Sequence, residues 1–424
     1  MKLPDSPRLA PILVGYSGGL DSSVLLHLLA RHAECRAGGL RAIHVHHGLH
    51  AQADAWAAHC ERECAALDVP LEVVRVKVDA AAGLGIEGAA RAARHAAFAQ
   101  ALGEGEILAL AHHRDDQAET FLLRALRGSG VDGLAAMRPW RAHARGWLWR
   151  PLLDVPRDQL AAHAHAHELH WIEDPSNADS GFNRNFLRNQ VMPLLRERWP
   201  HAAANLARSA RLSAQAVDLL DAEDAAAQAL AQRDDGTLDV AVLRSLPAAR
   251  RARVLRRWIE AAELPPLPAN GIVQIEHQLL NARQDAEARF DWAGARVQRW
   301  RNALHAGRIR APLPVDWSQA WDGRAPLALP GGDRLELAGT EAFDAPLRVH
   351  ARQGGERLLL PGRPHHHSLR HVLQERNVPP WLRTRMPLLS EAGELLAAGD
   401  SIVSARMAGW LHARGACLRW IAVA

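Results

Sequence analysis

Strand and helix signals alternate four times within the first 130 residues, and this alternation constrains the fold more than any other feature of the chain. "PILVGY" leads into a helix from Asp21, and "LRAIHVHHGL" into "ADAWAAHCERECAAL". "PLEVVRVKV" leads into "IEGAARAARHAAFAQAL", and "EILALAH" into "DDQAETFLLRAL". Short β-rich runs followed by longer stretches of helical period predict βαβ units and a parallel sheet. Ligands of such sheets sit in the strand-to-helix turns, at the carboxyl ends of the strands. The sharpest residue patterns fall in those turns.

The first turn lies in "VGYSGGLDSSVLL", Val14 to Leu26. Ser17, Gly18 and Gly19 have small side chains that let backbone N–H groups approach a ligand closely. The helix starting near Asp21 adds unsatisfied N–H groups and a positive dipole end, which together make an anion site. The common phosphate loop places a lysine on the β- and γ-phosphates, and no lysine stands here. A lysine-free cradle suits a leaving pyrophosphate, with Asp21 able to hold Mg²⁺ beside it. That arrangement fits cleavage between the α- and β-phosphates and adenylation of a substrate.

The fourth strand ends in "AHHRDDQAET", where Asp116 follows His112 by four residues and Glu119 follows Asp116 by three. Asp116 and Glu119 therefore share a helix face. Two histidines and three acids at one strand end can bind Mg²⁺ through oxygen and position an amine nucleophile. In "IEGAARAARH", Glu87, Arg91 and Arg94 also share a face. They read either as a solvated Glu–Arg pair or as an arginine reaching an α-phosphate.

Composition narrows the class. With 48% hydrophobic and 23% charged residues, the 424-residue chain is globular and long enough for two or three domains. No apolar run reaches membrane-spanning length, and the N-terminus lacks a secretory pattern. Four cysteines suit a reducing cytosol, with Cys60 and Cys64 expected as buried structural residues. The net charge of +4 is unevenly spread: residues 346–424 carry 11 Lys+Arg against 5 Asp+Glu. A second basic run, "RSLPAARRARVLRRW" from Arg244, holds six arginines and no acid. Basic faces on a near-neutral body are the footprint of a nucleic-acid partner.

The SGGxDS loop resembles that of the PP-loop ATP pyrophosphatases. Together with "HVHHGL", "EGAARAARH", "LALAHHRDDQAETFLLRALRGSGVDGLAAM", "RPLLDVPRDQL" and "WIEDPSNADSGFNRNFLRNQVMPLL", it resembles one branch, the tRNA(Ile)-lysidine synthases. The tail returns to the pattern with "RQGGERLLLPGR", "SLRHVLQERNVPPWLRTRMPLL" and "GELLAAGD". It departs where Arg370 and His371 stand for basic lysines and "RPHHHS" for a glycine-bearing turn.

The resemblance implies ligation of free L-lysine to C2 of the wobble cytidine (position 34) of tRNA(Ile) with a CAU anticodon, forming lysidine. ATP first adenylates the cytidine and releases pyrophosphate; the lysine amine then displaces AMP. Ser17, Gly18, Gly19, Leu20, Asp21 and Ser22 would hold ATP, and Arg91 or Arg94 would steady its phosphate. His112, Asp116 and Glu119 would serve the metal, the nucleotide or the lysine, with Asp21, Asp116 and Glu119 as Mg²⁺ ligands. Asp174, Asn177, Arg184, Asn185 and Arg188 would close over the site. Arg370, Arg383 and Arg385 would hold tRNA, with Arg250 to Arg257 the next candidates. The implied protein is cytoplasmic, has no membrane partner and admits a homodimer.

The expected architecture is an α/β PP-loop catalytic domain over 1–200 with a Rossmann-like parallel sheet. A mostly helical domain over 201–345 and a small basic α+β domain over 346–424 follow. Three rival functions remain in view. A tRNA thiolase would need paired reactive cysteines, and an amidotransferase-type synthetase a glutaminase block; a non-catalytic ATP- or RNA-binding module would not need the acids at 115–119. A metal site is not expected at His365–His367, which lack ligand spacing. Nor is one expected at His163 and His167, read as a surface helix face without a third ligand.

Overall fold

The computed structural model describes residues 10–78, 85–268, 270–282 and 288–422, without the side chains of Ile86, Glu87, Asn177 and Ala178. Two compact units part between Asp221 and Ala222. The boundary falls inside one long helix, α10 (numbered in chain order with the elements below), Ala202–Ala231.

The first unit holds a six-stranded sheet in the order β3-β2-β1-β4-β6-β5. Its strands are β1 Ile12–Gly15, β2 Leu40–His46, β3 Leu71–Arg75, β4 Ile107–Ala109, β5 Trp140–His143 and β6 Gly146–Trp149. All neighbours run parallel except β5, which pairs antiparallel with β6 at the edge. The intervening helices are α1 Leu20–Ala30, α2 Ala33–Ala37, α3 Ala53–Ala66, α4 Gly85–Ala101, α5 Arg114–Ala125 and α6 Val131–Leu134, with α7 Arg157–Ala166 following the sheet.

Period-two alternation in β1 divides the core between the two sheet faces. Ile12 and Val14 pack with α1 and with Leu160 and Ala164 of α7. Leu13 packs with Ala97 and Phe98 of α4, and with Leu108 and Leu148. Gly15 ends β1 where a Cβ would stand 2.5 Å from Leu110 Cδ2, so only glycine fits that approach. The chain adds β2 and β3 on one side of β1 and β4 on the other. That reversal opens a crevice at the carboxyl ends of β1 and β4.

The expected βαβ alternation is present in order. The β5–β6 hairpin was not expected, because "WRAHARGWLW" mixes charge and aromatics with no clean period.

In the second unit, β7 Leu238–Asp239 is followed by α11 Val240–Ser245 and α12 Ala248–Ala261, then β8 Arg289–Trp292, β9 Ala295–Trp300 and β10 Ala303–Arg308. The strands pair antiparallel in the order β7-β10-β9-β8. The nearly all-helical reading of Arg188 to His305 is therefore corrected at these hairpins. Their alternating burial and the left-handed turn residues Ala293, Gly294 and Arg301 override helical propensity.

Beyond them, Ser318–Trp321, Leu347–His350, Leu388–Glu391, Glu394–Ala398 and Ile402–Val403 form a five-stranded sheet. The expected helix at "SLRHVLQERN" spans Leu369–Glu375, and an unexpected one spans Ala405–Arg414.

Candidate active site

The SGGLDSS turn leaves β1 and enters α1 at the crevice. Gly18 has φ +80°, and a Cβ there would stand 2.7 Å from Ile172 Cδ1 and 2.9 Å from Cys60 Sγ. Its carbonyl accepts the Ile172 N–H at 2.8 Å, tying the turn to the segment after α7. Ser17 Oγ and Ser22 Oγ are 3.0 Å apart, and Ser22 Oγ donates to the Gly19 carbonyl at 3.0 Å. Gly19 starts α1 with no side-chain cap, so the first-turn N–H groups, beginning at Leu20, are left for a ligand.

Asp21 stands on that first turn. Its Oδ2 lies 3.6 Å from His113 Nε2. Its Oδ1 is buried and has no hydrogen-bond partner among the described residues. A buried carboxylate oxygen without a donor is costly until a cation meets it. Mg²⁺ fits this oxygen, because it takes one or two carboxylates and completes its shell with water and phosphate. Among the described residues no three His, Cys, Asp or Glu side chains are arranged to hold a metal on their own. Such an ion would need phosphate oxygens.

At the end of β4, His113 caps α5 in a reciprocal box. Its N–H donates to Asp116 Oδ2 at 3.0 Å, and its Nδ1 accepts the Asp116 N–H at 3.4 Å. His113 Nε2 thus stands between Asp21 and Asp116, 3.4 Å from Asp116 Oδ2. Burial opposes charge on His113, but Asp21, Asp116 and Asp115 outweigh it and raise its pKa. His113 is the second of the two histidines expected at this strand end, though it was not singled out as a site residue; its signal is its place immediately before an acidic first turn.

Asp116 and Glu119 do share a face of α5, and both are buried. They face arginines. Arg184, from α8 (Asn183–Phe186), donates from Nε to Glu119 Oε2 and from Nη2 to Asp116 Oδ1, both at 2.9 Å. Arg188 sits in the π turn Leu187–Val191 that follows. It donates from Nε to Glu119 Oε1 at 2.7 Å and from Nη2 to Asp116 Oδ1 at 2.8 Å. Burial resists ionisation of Asp116, yet His113, Arg184 and Arg188 hold its pKa down at about 2. Asp116 and Glu119, expected as Mg²⁺ ligands, have their carboxylates paired with guanidinium groups in this structure. Arg184 and Arg188 thus lie against the α5 acids, and α9 (Met192–Arg198) continues the same helical run.

His112 accepts the Arg150 Nε–H at its Nδ1, 3.2 Å away. Burial, with Arg150, Arg184 and Arg94 nearby, pulls its pKa down to about 3 despite Asp116, so it is neutral. Arg91 and Arg94 lie on α4; Arg94 acts on His47 and His112, and Arg91 on Arg124 and Arg150. Asp174 and Asn185 brace the intervening loop rather than reach the acids. Asp174 accepts the Ser176 N–H at 2.9 Å, and Asn185 Nδ2 donates to the Ser176 and Asp179 carbonyls at 2.9 Å. The side chains of Asn177 and Glu87 lie outside the described residues.

Cys60 and Cys64 are buried, and burial pushes both thiols up to about 12, which removes the paired nucleophile a thiolase would need. His163 is not on a surface face. It shares a 3.1 Å hydrogen bond with His27 of α1, and His167 stacks on it with ring centroids 4.1 Å apart.

In the second unit, Arg370 is exposed, Arg383 donates to the Val378 carbonyl at 2.7 Å, and Arg385 turns inward to Asp333. The arginine run on α12 is also largely satisfied: Arg250 and Arg253 meet Asp224, and Arg251 meets Glu276 at 2.7 Å.

A lysine-free glycine turn between β1 and α1, at the switch point of a parallel sheet, defines a PP-loop nucleotide-binding enzyme. A family model described as the PP-loop domain matches residues 3–195. Models described as the TilS substrate binding domain and the TilS substrate C-terminal domain match 238–305 and 347–420. A tRNA(Ile)-lysidine synthase of Xanthomonas axonopodis pv. citri (strain 306) is 57% identical over 99% of this chain and 95% of its own length. One of Xylella fastidiosa (strain Temecula1 / ATCC 700964) is 52% identical over 99% and 96%. One of Pseudomonas aeruginosa is 46% identical over 94% and 91%. The chain belongs to the tRNA(Ile)-lysidine synthase family. It is a ligase of tRNA modification that uses ATP, and among the described residues no helix is long and apolar enough to cross a membrane.

Proposed function

We propose that the chain works in the cytoplasm and attaches free L-lysine to C2 of cytidine 34 in tRNA(Ile) with a CAU anticodon. The supporting observation is the quartet of buried Asp116 and Glu119 with half-buried Arg184 and Arg188, joined to the nucleotide loop through His113 and Asp21. A free amino acid brings an ammonium and a carboxylate together. A cluster with two anions and two cations can exchange its internal pairs for both ends of that ligand.

In the first step the cytidine O2 attacks the α-phosphorus of ATP, and the bond to the β-phosphate breaks. The uncapped N–H groups of the SGGLDSS turn receive the leaving pyrophosphate, and Arg91 or Arg94 faces the charge developing at the α-phosphate. Asp21 would hold Mg²⁺ through its unpartnered Oδ1; the bound ion supplies charge neutralisation on the phosphate oxygens. In the second step the lysine side-chain ammonium leaves its carboxylate partner and gives one proton to water; the freed amine then bonds to C2 as the C2–O2 bond breaks, and the bonding pair leaves with AMP. His112, neutral with Nδ1 occupied by Arg150, presents Nε2–H as a donor and cannot serve as the base at neutral pH. The test is mass analysis of tRNA(Ile) after incubation with ATP and labelled lysine. One cytidine should gain a lysine residue; unmodified tRNA would overturn the reading.

A further inference from the structure

Arg150 follows β6 at the carboxyl end of the sheet and is only 7% exposed. Among the described residues it meets no carboxylate. Nε donates to the neutral His112, Nη1 donates to the Arg138 carbonyl at 2.6 Å, and Nη2 has no hydrogen-bond partner among the described residues. A guanidinium withdrawn from water without an anion is costly.

The neighbours add to that cost. Burial, then Arg141, Arg91 and Arg124, bring the Arg150 pKa down to about 10, which marks an electropositive setting. Arg124 likewise lacks an acid among the described residues; its Nη1 donates to the Gly133 and Ala136 carbonyls at 2.8 and 3.1 Å.

Holding the 133–139 segment does not explain these charges. Gln117, a neutral side chain, pins the same segment through both the N–H and the carbonyl of Met137 at 2.9 Å. One buried and one half-buried guanidinium spent on carbonyls, where an amide suffices, leave their charge unmatched. An anion in the crevice would match it. A single carboxylate would not offset several cations, whereas a phosphate ester fits the planar fork with two oxygens.

We propose that Arg150, just past β6, and Arg124, in the last turn of α5, form a preformed phosphate subsite beside the 133–139 segment that both of them hold, separate from the SGGLDSS turn. Its ligand is a phosphate ester, either of ATP or of the RNA backbone beside the reacting cytidine. Only that choice of source rests on the proposed function.

The experiment compares wild type, Arg150→Met, Arg150→Lys and Arg124→Met. ATP affinity is measured without tRNA, and tRNA affinity across a salt series without ATP. If the ligand is an RNA phosphate, Arg150→Met weakens tRNA about tenfold and flattens the log–log salt slope by about 0.7–0.9, with ATP affinity unchanged. Arg150→Lys then keeps the slope but not the full affinity. If the ligand is a nucleotide phosphate, ATP affinity falls about tenfold and the tRNA slope stays.

Wild-type ATP affinity and wild-type tRNA slopes in the methionine variants overturn the subsite. Should Arg150→Met fail to fold, Arg150→Lys and Arg124→Met decide by the same readouts. A wild-type protein that transfers no lysine would overturn the function above, and the ATP arm would still test the subsite.

Discussion

Arg188 bridges Asp116 and Glu119, with Nε 2.7 Å from Glu119 Oε1 and Nη2 2.8 Å from Asp116 Oδ1. Arg184 repeats the grip on the same two carboxylates. Glu119→Gln would leave two half-buried guanidiniums facing one carboxylate. Breaking a fully buried pair costs about 3–5 kcal/mol; Arg184 and Arg188 are 23% and 31% exposed, so the loss is smaller, and thermal unfolding should begin at lower temperature. The lysine KM should rise at least tenfold while ATP affinity stays close to wild type. A variant with an unchanged lysine KM would remove the quartet from the lysine site.

Asp21 carries a different burden, since its Oδ1 is buried without a partner. Asp21→Asn should preserve the fold and lower turnover by roughly 10²–10³, the usual scale for losing one electrostatic stabiliser. Unfolding curves and single-turnover rates check the two halves separately. Retained activity would place the metal elsewhere.

The order of the two steps is open to an isotope measurement. Exchange of labelled pyrophosphate into ATP should require tRNA(Ile) and proceed without lysine, because the cytidine is activated first. Exchange driven by lysine without tRNA would mean that the amino acid is the activated partner.

The histidine stack between α1 and α7 predicts acid sensitivity. Burial, with His167 and then His27 nearby, lowers His163 to about 4, and burial with His167 and Arg31 lowers His27. Groups with depressed pKa favour the fold fully above the ordinary histidine value near 6.5. Their contribution is lost as pH falls from there toward 4. Melting temperature should drop across that window, and His163→Leu should flatten the drop. An unchanged slope would assign acid sensitivity to other groups.

Arg370 and Arg385 should separate RNA contact from architecture. Arg370 is exposed, while the side chain of Arg385 meets Asp333, itself 2% exposed. Arg370→Ala should make the salt slope of tRNA binding shallower by up to about 0.9 and leave stability unchanged. Arg385→Ala should lower stability by leaving Asp333 without that partner. The reverse pattern would exchange their roles.

Elements with a clean period were legible before any coordinates. The buried runs of β1, β2 and β4 and the helices after them follow from periods of 2 and 3.6. The SGGLDSS turn was equally plain, because glycine at φ +80° and an uncapped helix start are local properties. What stayed hidden depends on long-range partners. Arg184 and Arg188 meet acids 65 to 72 positions earlier, and no pattern along the chain announces that contact. The arginine run on α12 looked like an RNA surface because its partner Asp224 lies 26 and 29 positions away on another helix. His27 escaped notice for the same reason: its partner His163 is 136 positions on.

The π turn at Leu187–Val191 sets the phase of the whole helical run across α5. Arg184, Arg188 and Met192 are spaced four apart; the arginines meet the α5 acids, and Met192 packs with Ala118 of α5. In an unbroken α-helix each four-residue step over-rotates by about 40°, so the third side chain would drift off the line. A π turn takes more residues per revolution and winds that surplus back. Deleting one residue within Leu187–Val191 would therefore let the segment rewind as ordinary α-helix, so that Met192 and all that follows would keep nearly their present face and only the widened turn beside Arg188 would be lost.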